Sequence, residues 1–183
     1  MRIQSSIRFI LAVGLALVLA ACSPKHDWRV VHNQEHGWQA TFPGKPVQFS
    51  RELVLPGASA PVRLTLSSAK IDEAMFAVGW IANANESSRK ALELAMLSNI
   101  NAKASSIRRA SVNVSGLQAA AVEARGEMRI QAGKEPVPVR MLMRSIAIGG
   151  PQPMVIEVIA VGPEANLPEE VAQQFVESLR IIR

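Results

Sequence analysis

Hydrophobic and polar residues alternate in short runs from Trp38 onward. In GWQATF, Trp38, Ala40 and Phe42 share one face and Gln39 and Thr41 the other, the pattern of a half-buried strand. PGKP ends it: Pro43-Gly44 fits a type II turn and Pro46 restarts an extended chain. VQFSRELVL continues as a strand up to PGASAP. VRLTLSSAKI directs Val62, Leu64 and Leu66 inward, and MFAVGWIA follows Asp72-Glu73 as a further strand. The period then changes. From Ser87 to about Ile107, Leu92, Met96, Ile100 and Ala104 recur every four residues without Pro or Gly, which predicts a long helix capped by Asn85 or Ser87.

Strands return after Arg109. SVNVSG leads into LQAAAVEARGEMRIQA, where Val122, Ala124, Met128 and Ile130 share one face and Glu123, Arg125, Glu127 and Arg129 the other. VPVRMLMRSIAI sets Val139, Met141 and Met143 opposite Arg140 and Arg144. PMVIEVIAV is nearly all apolar, which predicts a central strand buried on both faces. NLPEEVAQQFVESL predicts a closing helix, with Asn166 and Glu169 placed as a capping box and Val171, Phe175 and Leu179 along one side. Four strands, a long helix, three or four strands and a terminal helix define an α+β fold: an antiparallel sheet with helices packed on it.

The N-terminal pattern is of another kind. MRIQSSIR carries Arg2 and Arg8 and no acid, and Phe9 to Ala21 is uncharged and apolar. This is the n-region and h-region of a signal peptide, shorter than the roughly 20 apolar residues of a membrane span. It ends in LAAC, which holds the only cysteine, Cys22. LAAC resembles the lipobox of bacterial lipoproteins. The resemblance implies cleavage between Ala21 and Cys22, diacylglycerol on the Cys22 thiol and a further acyl chain, such as palmitate, on the new amine. Two or more chains give stable membrane attachment where one gives only marginal binding. Ser23 after the cysteine, in place of aspartate, points to the outer membrane facing the periplasm. The expected organisation is a signal peptide over 1–21, a tether over 22–36 that ends in a short strand, and a single domain over 37–183.

Composition changes the picture in two places. Removing residues 1–21 leaves 162 residues, enough for one domain, and lowers the formal net charge from +5 to +3. The high pI is therefore weak grounds for nucleic acid, and none is expected as a partner. With Cys22 acylated the mature domain has no disulfide, so its stability must come from its core.

GWQATFPGKP, then two more strands, a long helix, a meander and a closing VESLRII resemble the PsbP-like fold family, which includes a photosystem accessory protein and many short bacterial lipoproteins. Phe42, Pro43, Gly44, Lys45 and Pro46 match its turn, and Phe175, Ser178 and Leu179 its helix end. The resemblance covers Trp38 to Arg183. It implies an αβα sandwich and a role as an accessory or binding module.

Candidate chemistry is sparse. HNQEH, His32 to His36, fits the zinc-peptidase pattern H-x-x-E-H, whose histidines must share one helical face with Glu35 as base. WRVV before it is β-prone and Gly37 follows it, so a solvated linker is the plainer reading, with His32 and His36 as weak metal candidates. Glu123, Arg125, Glu127 and Arg129 form a charged stripe, with Arg140 and Arg144 beside it and Glu157 as a further member. Hairpin register would make Glu127–Arg140 and Glu123–Arg144 cross-strand pairs. The bland reading is a solvated face of weak ion pairs; the functional one is a docking face for an anionic partner through Arg140 and Arg144. All three histidines lie within residues 26–36, so no serine in the body has a nearby base, and no Gly-rich phosphate loop or cofactor motif occurs.

The reading is a lipid-anchored envelope protein, not an enzyme, acting as a binding or accessory module for another envelope protein. Alternatives are a carrier or sensor of a lipid or small apolar ligand, and a metal-dependent hydrolase using HNQEH.

Overall fold

The computed structural model describes residues 26–57 and 60–182. The segment expected to be a signal peptide and the lipobox-like residues Ala21 and Cys22 lie outside the described residues. Among those described, ten strands and two α-helices occur in the order β1 (Arg29–Asn33), β2 (Trp38–Phe42), β3 (Val47–Leu53), β4 (Val62–Ile71), β5 (Ala74–Ala82), α1 (Glu86–Asn99), β6 (Ile107–Val114), β7 (Leu117–Met128), β8 (Val137–Ile148), β9 (Met154–Pro163), α2 (Glu169–Glu177) and β10 (Arg180–Ile181). A 3₁₀ turn over Ala104–Ser106 precedes β6. The fold is α+β and the large sheet is antiparallel throughout.

That sheet has seven strands in the order β3-β4-β5-β9-β8-β7-β6, with the apolar β9 in the middle as its composition predicts. A small sheet, β1-β2-β10, joins the chain's entry to its end. The short strand expected within the tether is β1, paired along its whole length with β2.

The two faces of the large sheet carry different cores. On one face, α2 lies over β8 and β9, with β2 beside it against β5. Phe175 of α2 meets Phe42 at 5.0 Å and Phe76 edge-on at 5.4 Å, and Trp38 lies against Trp80 at 5.7 Å. Such tilted pairs add attraction between ring edges and faces to the burial of large apolar surfaces. Ser178 ties the end of α2 to β2: its hydroxyl accepts from the Thr41 N–H (2.9 Å) and donates to the Phe175 carbonyl (2.7 Å). On the other face α1 packs Leu92, Leu97 and Ile100 over Ala77, Ile81, Met141, Met143 and Val155.

Local expectations hold where only neighbouring residues decide. Asn85 caps α1 by accepting from the Ser87 and Ser88 N–H groups. Elsewhere the fold overrides them. The four-residue period extends through Ala104, but α1 ends at Asn99. Asn101 turns left-handed (φ 49°), and the Ile100 carbonyl accepts from the Glu127 N–H at 2.7 Å. Gly126 makes this approach possible, since a Cβ there would lie 1.9 Å from that carbonyl oxygen. The Asn166 capping box does not form: Pro168 is the N-cap of α2 and the Asn166 N–H bonds the Pro163 carbonyl. Pro43-Gly44 is a buried bend and not a type II turn, because Gly44 lacks the positive φ that turn requires.

Candidate functional site

The large sheet extends past both helices at its β6–β7 wing. β7 carries Ala119-Ala120-Ala121, three small residues that alternate between the faces. Both helices pack on β8 and β9, so the wing stands open as the floor of a groove on each side.

The groove beside α2 has a volume of about 390 Å³. Ala110, Ala121 and Leu142 form its floor and Val176 its helical wall. Two ion pairs flank it, Arg108 with Glu123 and Arg144 with Glu177 (2.8 Å). The groove thus offers an apolar floor between two fixed ion pairs.

This placement corrects the sequence-based docking face. Arg140 and Arg144 face α2 and are only 13% and 18% exposed. Arg140 lies 3.5 Å from Glu169 and donates to the Leu167 carbonyl at 3.4 Å, while its Nε has no hydrogen-bond partner among the described residues. The expected cross-strand pairs are absent because the register is shifted by two residues: Arg125 lies opposite Arg140, Ala121 opposite Arg144 and Leu142 opposite Glu123. Glu123 pairs instead with Arg108, and Arg125 with Glu164. Of the two arginines, only Arg144 borders the groove.

Glu157 is also displaced from its expected place. It lies opposite Ser145 on β8, hence on the α1 face and not with Arg140 and Arg144. It is 4% exposed, and its Oε2 has no hydrogen-bond partner among the described residues. Burial pushes its carboxyl up to about 8; the Glu93 charge adds to the rise and Arg89 opposes it. Above this row of the sheet α1 places Arg89 and Glu93, both nearly buried. Arg89 donates to both Glu86 oxygens (2.8 Å each), to Ser145 Oγ (3.0 Å) and to Glu93 Oε2 (3.1 Å). Arg109 of β6 closes the network on Glu93 Oε1 at 2.8 Å. The Arg89 bond holds the Glu86 carboxyl below its usual range. Two contiguous hollows of about 470 and 350 Å³ lie beside this network, both lined by Arg89, Arg109 and Ala120.

Sequence reasoning missed this network. Its signals were a single acid inside PMVIEVIAV, and Arg89 and Glu93 one turn apart on the stripe of Leu92 and Leu97.

The HNQEH segment is a hairpin and not a helix. His32 is exposed on β1 opposite Gln39. His36 sits in the turn, where its N–H donates to Asn33 Oδ1 at 2.9 Å and its ring lies 4.8 Å from Trp80. The shared helical face that H-x-x-E-H chemistry needs is therefore not formed. Gly37, at φ 63°, completes the turn, and its carbonyl accepts from the Ile182 N–H at 2.8 Å. Among the described residues no group of three His, Cys, Asp or Glu side chains is placed to hold a metal. Nor is any helix among them long and apolar enough to cross a membrane.

No protein-family model matches the chain. No curated protein matches it. Among solved structures it is similar to the crystal structure of LpqN, involved in cell envelope biogenesis of Mycobacterium tuberculosis. The two share 15% identity at a TM-score of 0.41, over 86% of this chain and 91% of that one. Function is therefore read from this chain's own residues.

Proposed function

We propose that the chain is a lipid-anchored envelope lipoprotein whose PsbP-like domain is a non-catalytic binding module. The groove between the β6–β7 wing and α2 is its contact surface. The observation that carries this reading is the groove itself: an apolar floor of Ala110, Ala121 and Leu142 between two fixed ion pairs, open at the sheet's wing. An apolar patch within a polar rim is the anatomy of a protein contact. Lipid on Cys22 attaches the module to the outer membrane, facing the periplasm, where its partner is another envelope protein.

A second reading, a carrier of a lipid or small apolar ligand, is favoured by the groove's volume, which falls within the range of small-molecule sites. One experiment separates the two. A photo-crosslinking amino acid at Gln173, on the groove's helical wall, is activated in intact cells. A discrete protein adduct that falls severalfold in an Arg144→Glu background supports the module. A lipid adduct in its place supports the carrier. Labelling indifferent to Arg144→Glu removes the groove from both readings. A Cys22→Ala variant that stays in the membrane fraction would overturn the anchor.

A further inference from the structure

The two edges of the large sheet are treated differently. β6 bounds one end, and its Arg108 and Arg109 are paired with Glu123 and Glu93. Two adjacent charges of one sign on an edge strand discourage another strand from pairing with it, whereas the two charges of the opposite edge strand β3, Arg51 and Glu52, are of opposite sign. β3 bounds the other end and is exposed along nearly its whole length. It pairs with β4 from Val47↔Ser68 to Leu53↔Val62, and among the described residues no strand pairs with its outer side. Its first four residues, Val47 to Ser50, carry no charge, and Val47 and Phe49 are 64% and 45% exposed. Seven residues of regular, uncharged-to-mixed edge are a template for a further strand.

We propose that the outer edge of β3 pairs antiparallel with β3 of a second copy of this chain, joining two seven-stranded sheets into one.

The chemistry of the edge selects the occupant and the register. A two-fold axis perpendicular to a sheet keeps each face on its own side, so a residue meets one of the same parity. Centred on Ser50, it sets Val47 against Leu53 of the second copy, Gln48 against Glu52, Phe49 against Arg51, and Ser50 against itself. These are an apolar pair, an amide–carboxylate hydrogen bond, a cation–π contact and a hydroxyl pair. Each but the last is made twice. Neighbouring registers are worse. Centring on Arg51 opposes two guanidinium groups, and centring on Phe49 brings Pro46, which has no N–H, into the ladder opposite Glu52. Self-complementarity in one register is what an isologous contact requires. The proposal does not depend on the groove or its ligand.

The test is site-directed cysteine crosslinking of the full-length protein in native membranes, oxidised and resolved without reductant. Ser50→Cys should give a band at twice the monomer mass that wild type, with Cys22 alone, does not give. Gln48→Cys and Glu52→Cys should crosslink poorly alone and well when co-expressed. Adding Phe49→Lys to Ser50→Cys should cut the dimer band about tenfold or more through lost pairing, with unchanged melting because Phe49 is exposed. No Ser50→Cys dimer would overturn the proposal. So would equal bands at positions 48, 50 and 52, which mean random collision, or a Ser50→Cys adduct with a different protein. A dimer band indifferent to Phe49→Lys would also overturn it.

Discussion

The two faces of the large sheet solve one packing problem in opposite ways. Under α2 the interface is apolar and aromatic, closed by Phe175 between Phe42 and Phe76. Under α1 part of the contact is ionic: Arg89 bridges Glu86, Glu93 and Ser145 above a buried Glu157. Apolar burial is non-directional and adds stability with area. A buried ion pair first pays the cost of desolvating its charges, so its net contribution is small even though breaking it is costly. Apolar contacts hold both faces, and under α1 the ionic network adds directional positioning of the helix. The α2 face should therefore answer mainly to side-chain volume, and the α1 face to pH and charge as well.

The largest break in this comparison is expected at the aromatic face. Phe175→Ala empties the centre of that core and should cost about 4 kcal/mol, read as a fall in the urea midpoint. Arg89→Ala leaves Glu93 buried beside Glu157 and should cost about 3 kcal/mol. Adding Glu93→Leu should recover most of that loss, and if the double variant is no better than the single one, the α1 face is not ionic in the sense argued. Glu157 supplies the pH dependence. Its folded carboxyl binds a proton up to about pH 8, whereas unfolded it releases one near the usual 4.5. Its contribution is therefore fully present below the unfolded value and is lost as pH rises towards the folded one, by at most about 1.4 kcal/mol per pH unit. Glu157→Gln should match wild type near pH 5 and exceed it by about 1–3 kcal/mol at pH 8. Equal slopes in denaturation series from pH 5 to 8 would refute this. The smallest effect is at the helix start, where Asn85→Ala should cost about 1 kcal/mol, detectable as faster amide exchange in the first turn of α1 and not in α2.

Much of the fold was legible, because two-residue alternation and four-residue recurrence are set by backbone geometry. Trp38, Ala40 and Phe42 are all buried as their alternation predicts, and so are Val122, Ala124, Val139, Met141 and Met143. Legibility fell wherever the partner lies far along the chain. The end of α1 depends on Gly126, which admits the Ile100 carbonyl from 26 residues away. Glu123, Arg125 and Glu127 do share a sheet face with Arg140 and Arg144, whereas Arg129 lies beyond the end of β7; α2 covers the two β8 arginines and takes them as partners for Glu169 and Glu177. Glu157 was placed with those arginines, but the β8–β9 register turns it to the opposite face. The groove was not visible at all, since its floor joins Ala110 of β6, Ala121 of β7 and Leu142 of β8, and its helical wall is Val176 of α2.

By itself, then, the sequence determined the strand and helix periods, the central position of β9, a cap at Asn85 or Ser87 and the lipobox-like N-terminal pattern. Each depends on side chains within a few residues of one another, where geometry leaves one arrangement. The tertiary structure alone decided strand register, which helix covers which face, and which charges are buried together. A register shift of two residues preserves every face and every local pattern while exchanging every partner. That is why Glu123 and Glu127 do not meet the arginines expected opposite them. Helix placement is decided separately: it sets Arg140 and Arg144 beneath α2 and Arg89 of α1 over the face that carries Glu157.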